Sequence, residues 1–137
     1  MLDFEDSELP INLGDFSHIE SLAGGALPSS FKKFYLLRNG GYLESKELYG
    51  DECVYDIHGF ESLKHGDLPI EQLYQDLVES YEFLAGLVPF AFDQGGNNYL
   101  VSLRAEDYGK IYIWLHDEEE LKPVFDSFEF FEKGLAA

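Results

Sequence analysis

The side chains in this sequence that could do nucleophilic or metal chemistry are a single thiol and four imidazoles. Cys53 is the only cysteine, and the histidines lie far apart, at positions 18, 58, 65 and 116. A cysteine nucleophile needs a neighbouring base, and the residues around Cys53 match no nucleophile motif. His58 and His65 lack the i, i+4 spacing of a zinc-binding helix. We therefore interpret Cys53 as a small core residue on a strand, and we predict neither a metal site nor a cofactor.

Carboxylates are the most abundant reactive side chains. The sequence has 27 acidic and 9 basic residues, which give a formal charge of -18 on 137 residues. The run from Asp117 to Glu120 could bind a hard cation, but consecutive carboxylates do not surround a point as the oxygens of a calcium loop do. A glycosidase carboxylate pair is compatible with this composition, yet abundance alone does not place two carboxylates at the required separation. We interpret the acidic run as a solvated, charged turn.

The segment from Asp93 to Asn97, with Gly95 and Gly96 at its centre, has some features of a phosphate-binding loop. It lacks the lysine and the Ser or Thr of a P-loop, and no helix is predicted after it. Apolar runs flank it at 87–92 and 99–103. This pattern is typical of two strands joined by a tight turn, so we predict a β-hairpin without a ligand.

The elements that position these residues follow from the spacing of the apolar side chains. Helical spacing predicts helices at 15–23, from Pro28 to about Asn39, at 67–81 and at 127–135. The last of these begins with capping-box spacing between Asp126 and Glu129. Short apolar runs predict the two hairpin strands, and a β-branched and aromatic run predicts a strand at 110–116 that half-buries Trp114 against a helix. Glycines among mixed apolar and polar residues predict two or three short strands within 42–63. The result is an α+β fold in which N-terminal, middle and C-terminal helices flank a central, mostly antiparallel sheet.

The bulk composition restricts the class of protein. Hydrophobic residues make up 45% of the chain and aromatic residues 16%, which argues against disorder. The length fits a single domain over 1–137, with an extended lead-in over 1–13. One cysteine, no signal peptide and no long apolar run predict a cytoplasmic protein. The negative charge predicts that neither nucleic acid nor an anionic membrane is a partner.

Several of these patterns, taken in order, resemble the SUKH superfamily, which includes fungal cell-wall assembly regulators of the Smi/Knr type. The helix that starts at Pro28 and ends in Asn39-Gly40-Gly41 resembles the second-helix signature of that family. The segment 88–99 resembles its central hairpin, and 111–117 resembles the next strand. The helix beginning at Ser127 resembles the closing helix, so the resemblance covers most of the chain.

The resemblance implies an α+β fold and a role in binding, without an established catalytic activity. Bacterial members are typically immunity proteins that bind and neutralise toxins, often nucleases, and we therefore expect no enzyme. The alternatives are a regulatory or adaptor module like the fungal members, and a small hydrolase. The signature positions are implied to be structural; they are Pro28, Asn39, Gly40, Gly41, Pro89, Asp93, Gly96, Asn97, Trp114 and Phe128.

An immunity role would give the negative charge a use, because a nuclease holds phosphates with Lys and Arg, and an acidic inhibitor can occupy that basic surface. We therefore expect a basic protein partner, a toxin domain, reached through tyrosines beside acids in turn-rich segments. The candidate partner-binding residues are Asp51, Glu52, Tyr55, Asp56, Tyr108, Asp117, Glu118, Glu119 and Glu120, with Tyr42 and Tyr49 as further tyrosine anchors. The oligomeric state is left open by the sequence.

Overall fold

The structure, a computed structural model, describes residues 4–49 and 54–136. Its α-helices are α1 (Ser17–Ala23), α2 (Ser29–Leu37), α3 (Ile70–Ser80) and α4 (Phe128–Ala136). Its strands are β1 (Gly41–Tyr49), β2 (Val54–Phe60), β3 (Leu87–Phe92), β4 (Asn98–Ser102), β5 (Ile111–Leu115) and β6 (Glu120–Phe125). Short 3-10 helices occupy Leu13–Phe16, Glu82–Leu84 and Ala105–Asp107.

The strands form one sheet in the order β1-β2-β3-β4-β5-β6, and every neighbouring pair is antiparallel. β2 and β3 pair through Gly59 with Phe92 and Phe60 with Ala91, although α3 lies between them in the chain. Because an antiparallel meander reverses at each connection, the turns after β3 and β5 lie at the same end of the sheet as the start of β2. The predicted α+β fold, with a mostly antiparallel sheet flanked by helices, is confirmed.

The main core lies between one face of the sheet and helices α2 and α4. Aromatic residues three apart on each helix point to the same side, so Phe31 and Phe128 pack edge to face with ring centroids 5.2 Å apart. Phe131 packs on Phe90 of β3, also at 5.2 Å. These four rings are fully buried, so packing between aromatic rings holds the helices on the sheet.

A second, smaller cluster covers the opposite face of the sheet. Successive strand residues point to opposite faces, and in β4 Val101 belongs to the main core while Leu100 belongs to the second cluster. Trp114 of β5 is the largest member of this second cluster, and it is fully buried. The prediction that Trp114 is half-buried is therefore wrong. The rings of Tyr81 and Phe83, in the segment that follows α3, pack against the indole and cover it.

The edge strand β6 was not predicted from the sequence. Its residues Lys122 and Pro123 interrupt the apolar pattern, and Pro123 has no backbone N–H to donate. An edge strand tolerates proline because one of its sides lacks a partner strand, and the β5–β6 register shifts next to Tyr112, the residue opposite Pro123. Lysine and proline at this position also discourage pairing with a further strand.

The start of α4 differs from the predicted capping box. The hydroxyl of Ser127 accepts a hydrogen bond from the N–H of Phe130 at 3.2 Å, so Ser127 caps the helix. The Glu129 carboxylate instead accepts a hydrogen bond from the hydroxyl of Ser30, at 2.8 Å. Glu129 therefore joins the first turns of α2 and α4, and this contact between distant residues is not visible in the sequence spacing.

Asn39 connects three segments of the chain behind the end of α2. Its side-chain amide donates to the carbonyls of Leu9 at 3.0 Å and Leu63 at 2.8 Å, and its Oδ1 accepts from the Leu63 N–H at 2.7 Å. The side chain is buried, with a relative exposure of 1%. The same residue pairs through its backbone with Glu8. Asn39 thus fixes the N-terminal segment, the end of α2 and the loop after β2 in one place.

The two glycines after Asn39 adopt backbone conformations that other residues reach only with strain. Gly40 has φ +73° and Gly41 has φ +124°. A Cβ at Gly40 would lie 2.8 Å from the Glu61 carbonyl oxygen, and one at Gly41 would lie 2.9 Å from that of Glu5. These close approaches let the N-terminal segment pair with β1, where Glu5 and Tyr42 exchange two backbone hydrogen bonds of 2.7 Å.

Candidate functional site

The end of the sheet where β3 and β5 turn back brings acidic residues from separate parts of the chain together. The Asp56 carboxylate of β2 accepts a hydrogen bond from the N–H of Gln94 at 3.2 Å. The side-chain oxygen of Asn97 accepts from the N–H of His116 at 3.0 Å. These two bonds join β2, the β3–β4 turn and the β5–β6 turn. We call this surface the acidic end, and its residues are Asp56, Asp93, Asp117, Glu118, Glu119 and Glu120.

Five of the nine predicted partner-binding residues, Asp56 and the run 117–120, are therefore brought together. The residues Asp51 and Glu52, and the interpretation of Cys53 as a core residue, lie outside the residues that the structure describes, as does the side chain of Tyr49. Tyr55 is half-buried against the main core. The acidic end is thus built mainly from carboxylates in turns.

Tyr108 lies at the opposite end of the sheet, in the connection between β4 and β5. Its hydroxyl donates to the carbonyl of Ala26 at 2.5 Å, which ties this connection to the residues before α2. The ring is 50% exposed and borders a groove of about 400 Å³ together with Pro28 and Phe128. Tyr108 and the acidic run are therefore placed by the fold on separate surfaces.

The β3–β4 turn at the centre of the acidic end is held by its own side chains. The two carboxylate oxygens of Asp93 accept hydrogen bonds from the backbone N–H of Asn97 at 2.8 Å and from its side-chain amide at 3.0 Å. Gly96 has φ +87°, and no atom lies within 4 Å of the Cβ it would carry. The turn needs glycine for its backbone conformation but leaves open space around it, so its outer surface is accessible.

An aromatic surface that sequence reasoning missed adjoins the acidic end. The Tyr81 hydroxyl donates to the Glu119 carboxylate at 2.9 Å, and this hydrogen bond raises the pKa of the tyrosine. The Tyr81 ring lies 4.9 Å from Trp114, and Phe83, which is 59% exposed, lies 5.6 Å from the same indole. The only sign of this aromatic surface in the sequence is a pair of aromatic residues directly after the amphipathic helix.

A polar cluster around Asp107 is satisfied internally. Arg104 donates to the Asp107 carboxylate at 2.7 Å, and this bond, with further ones from Ser102 and Tyr112, holds the pKa of Asp107 well below its usual range. The cluster fixes the connection between β4 and β5. Because its hydrogen-bonding groups already engage one another, we assign it a structural role.

A cleft of about 250 Å³ lies between the N-terminal segment, the start of β1 and the loop after β2. Four carboxylates line it, those of Asp6, Glu8, Glu61 and Asp67. Burial raises the pKa of Glu61 from 4.5 to about 7. Among the described residues, no group of three or more His, Cys, Asp or Glu side chains is arranged to hold a metal ion.

Replacing Glu61 by glutamine should change how stability depends on pH. A raised native pKa means that the folded protein binds this proton more readily than the unfolded chain, so Glu61 lowers stability as pH rises from about 4.5 to 7. At about 1.4 kcal/mol per pKa unit, the full cost is at most about 3.5 kcal/mol above pH 7. Urea unfolding at pH 5 and pH 8 should show Glu61→Gln gaining stability relative to the parent at pH 8 only. An equal difference at both pH values would contradict the assignment.

One of the comparisons with known proteins agrees with this architecture. The family model of the SMI1 / KNR4 family (SUKH-1) matches residues 10–133. No curated protein and no solved structure matches the chain. Within residues 4–49 and 54–136, none of the helices has the length and apolar character needed to cross a membrane.

Proposed function

The chain belongs to the SMI1/KNR4 family (SUKH-1), and from that premise we propose that it is a cytoplasmic immunity protein that neutralises a toxin domain by binding it. The acidic end is the proposed contact surface, and the partner is a basic protein. The observation that carries the proposal is the convergence of turn carboxylates at one end of the sheet. A surface of grouped carboxylates can bind a basic partner, and this role requires no turnover of a substrate.

The charge of the acidic end suits a nuclease partner in particular. A nuclease must hold phosphates with lysine and arginine side chains, so its active surface is positively charged. Complementary fields accelerate association by about 10- to 1000-fold at low salt, which favours capture of the toxin before it acts. The carboxylates of Asp117, Glu118 and Glu119 are exposed, so they contribute to this field without the cost of burial.

Reversing the charge of the β5–β6 turn should slow association with the cognate partner. The variant Asp117→Lys, Glu118→Lys, Glu119→Lys should lower the association rate by about tenfold or more at low salt, because local complementarity becomes repulsion. The measurement is surface binding kinetics at low and at physiological salt, with the partner that co-purifies from the native host. The parent rate should fall steeply as salt rises, since screening weakens the attraction.

A matched control separates local complementarity from net charge. The variant Glu44→Lys, Asp76→Lys, Glu106→Lys carries the same charge change on exposed residues outside the acidic end. It should retain most of the parent rate. If both triple variants bind alike, the acidic end is not the contact surface. A partner that binds without inhibition of any toxic activity would favour the regulatory or adaptor role instead.

A further inference from the structure

The indole N–H of Trp114 is a buried donor without a partner. The residue has no exposed surface, and no hydrogen-bond acceptor among the described residues reaches its Nε1. Most buried donors in folded proteins are paired, and an unpaired one costs stability, so each such group calls for an explanation. The nearest aromatic rings, those of Tyr81 and Phe83, offer only weak interactions with an N–H.

One of the two rings that cover Trp114, that of Tyr81, is held from outside by a hydrogen bond to the acidic end. Tyr81 donates to Glu119 at a solvent-exposed site, where water and charged groups compete for the same carboxylate. Phe83 presents 59% of its surface to solvent. At the β5–β6 turn, a carboxylate therefore lies beside two partly exposed rings from the segment after α3, and these rings cover an unpaired indole N–H of β5.

We propose that Trp114 is the covered anchor of the partner-binding surface and that an extended basic segment of the partner uncovers it. A lysine or arginine of that segment pairs with Glu119 and releases Tyr81. A main-chain carbonyl of the same segment accepts the hydrogen bond from Trp114 Nε1. The inference rests on the proposed function, because it assigns the basic partner its central contact. Tryptophan and tyrosine are the side chains that most often dominate binding energy at interfaces.

The fluorescence of Trp114 reports on this event directly, because it is the only tryptophan of the chain. The probe is a capped Gly-Arg-Gly-Arg-Gly peptide, with its affinity measured by calorimetry. At saturation, the Trp114 emission should shift to longer wavelength, because the indole N–H gains a hydrogen-bond acceptor. Emission that stays constant at saturation, or no binding of the peptide to the parent protein, overturns the inference.

Two pairs of variants identify the groups involved. Glu119→Gln should lower the affinity for the peptide by about tenfold, the effect of losing one charged hydrogen bond. Its control, Glu44→Gln, removes the same charge on β1 and should leave the affinity nearly unchanged. Trp114→Phe should lower the affinity for the peptide by a similar factor. Its control, Tyr112→Phe, changes another ring on the same face and should leave the affinity nearly unchanged. Equal affinities within either pair overturn the inference.

The failure of this inference differs from the failure of the proposed function. If the co-purified partner binds the Trp114→Phe variant as tightly as the parent and the β5–β6 lysine variant still binds slowly, the acidic end remains the contact surface and Trp114 only packs in the second cluster. If the lysine variant binds the partner normally, the proposed surface itself is wrong.

Discussion

Asn39→Ala should lower the free energy of unfolding by about 2–4 kcal/mol. The substitution leaves the buried N–H of Leu63 without its acceptor. It also removes the amide donors to two carbonyls, that of Leu63, which keeps the N–H of His65, and that of the exposed Leu9. An unsatisfied buried donor costs about 1–3 kcal/mol, and each of the other lost hydrogen bonds adds about 1 kcal/mol or less. The effect is measured by urea unfolding, followed by circular dichroism.

The variant Asn39→Asp tests whether hydrogen bonds or side-chain volume cause this loss. Aspartate has nearly the same shape and keeps the acceptor for Leu63, but it lacks the amide that donates to Leu9 and Leu63. It should be destabilised at neutral pH by about as much as the alanine variant, since a buried carboxylate without a cation is costly. An aspartate variant as stable as the parent would show that the amide donors contribute little.

Gly40→Ala should destabilise the protein by about 3–5 kcal/mol, for a reason that concerns the backbone alone. At φ +73° a Cβ is strained, and here it would also lie 2.8 Å and 2.9 Å from the carbonyl oxygens of Glu61 and Phe60. Those oxygens belong to the end of β2 and the residue after it, so they cannot move without disturbing the sheet. Thermal unfolding of the variant measures the combined cost.

Gly96→Ala is the matched control for Gly40→Ala. Gly96 also has a positive φ, +87°, but no atom lies within 4 Å of the Cβ that alanine would add. Only the conformational strain applies, so the expected loss is about 1 kcal/mol. The difference in stability loss between the two variants measures the cost of the steric clash at Gly40. If Gly40→Ala is no worse than Gly96→Ala, the close approach of Gly40 to the end of β2 does not limit the size of this residue.

The elements that the sequence predicted are those whose signals are local. α3 repeats apolar residues at helical spacing, and the β3–β4 hairpin consists of two short apolar runs around a glycine turn, so each can be recognised within a short stretch of sequence. β6 was missed because an edge strand with Lys122 and Pro123 depends on its neighbour β5 rather than on its own pattern. The burial of Trp114 was underestimated because its cover, Tyr81 and Phe83, comes from a distant segment.

The same distinction applies to the candidate site. The acidic residues were identified by type, but their grouping follows from the direction of each strand in the meander, which no short motif encodes. The fold unites Asp56 with the 117–120 run and places Tyr108 at the other end. Composition thus indicated the chemistry, whereas the order of the strands determined which residues share a surface.

The acidic end consists mostly of turn residues, and this has a consequence for divergence between relatives. Turns that project from one end of a sheet can change in length and charge while the aromatic rings between α2, α4 and β3 stay the same. Under the proposed function, mutations there would alter which partner is recognised with little effect on folding. A lineage would then acquire a new partner specificity by a few surface substitutions, each tolerated by an unaltered scaffold.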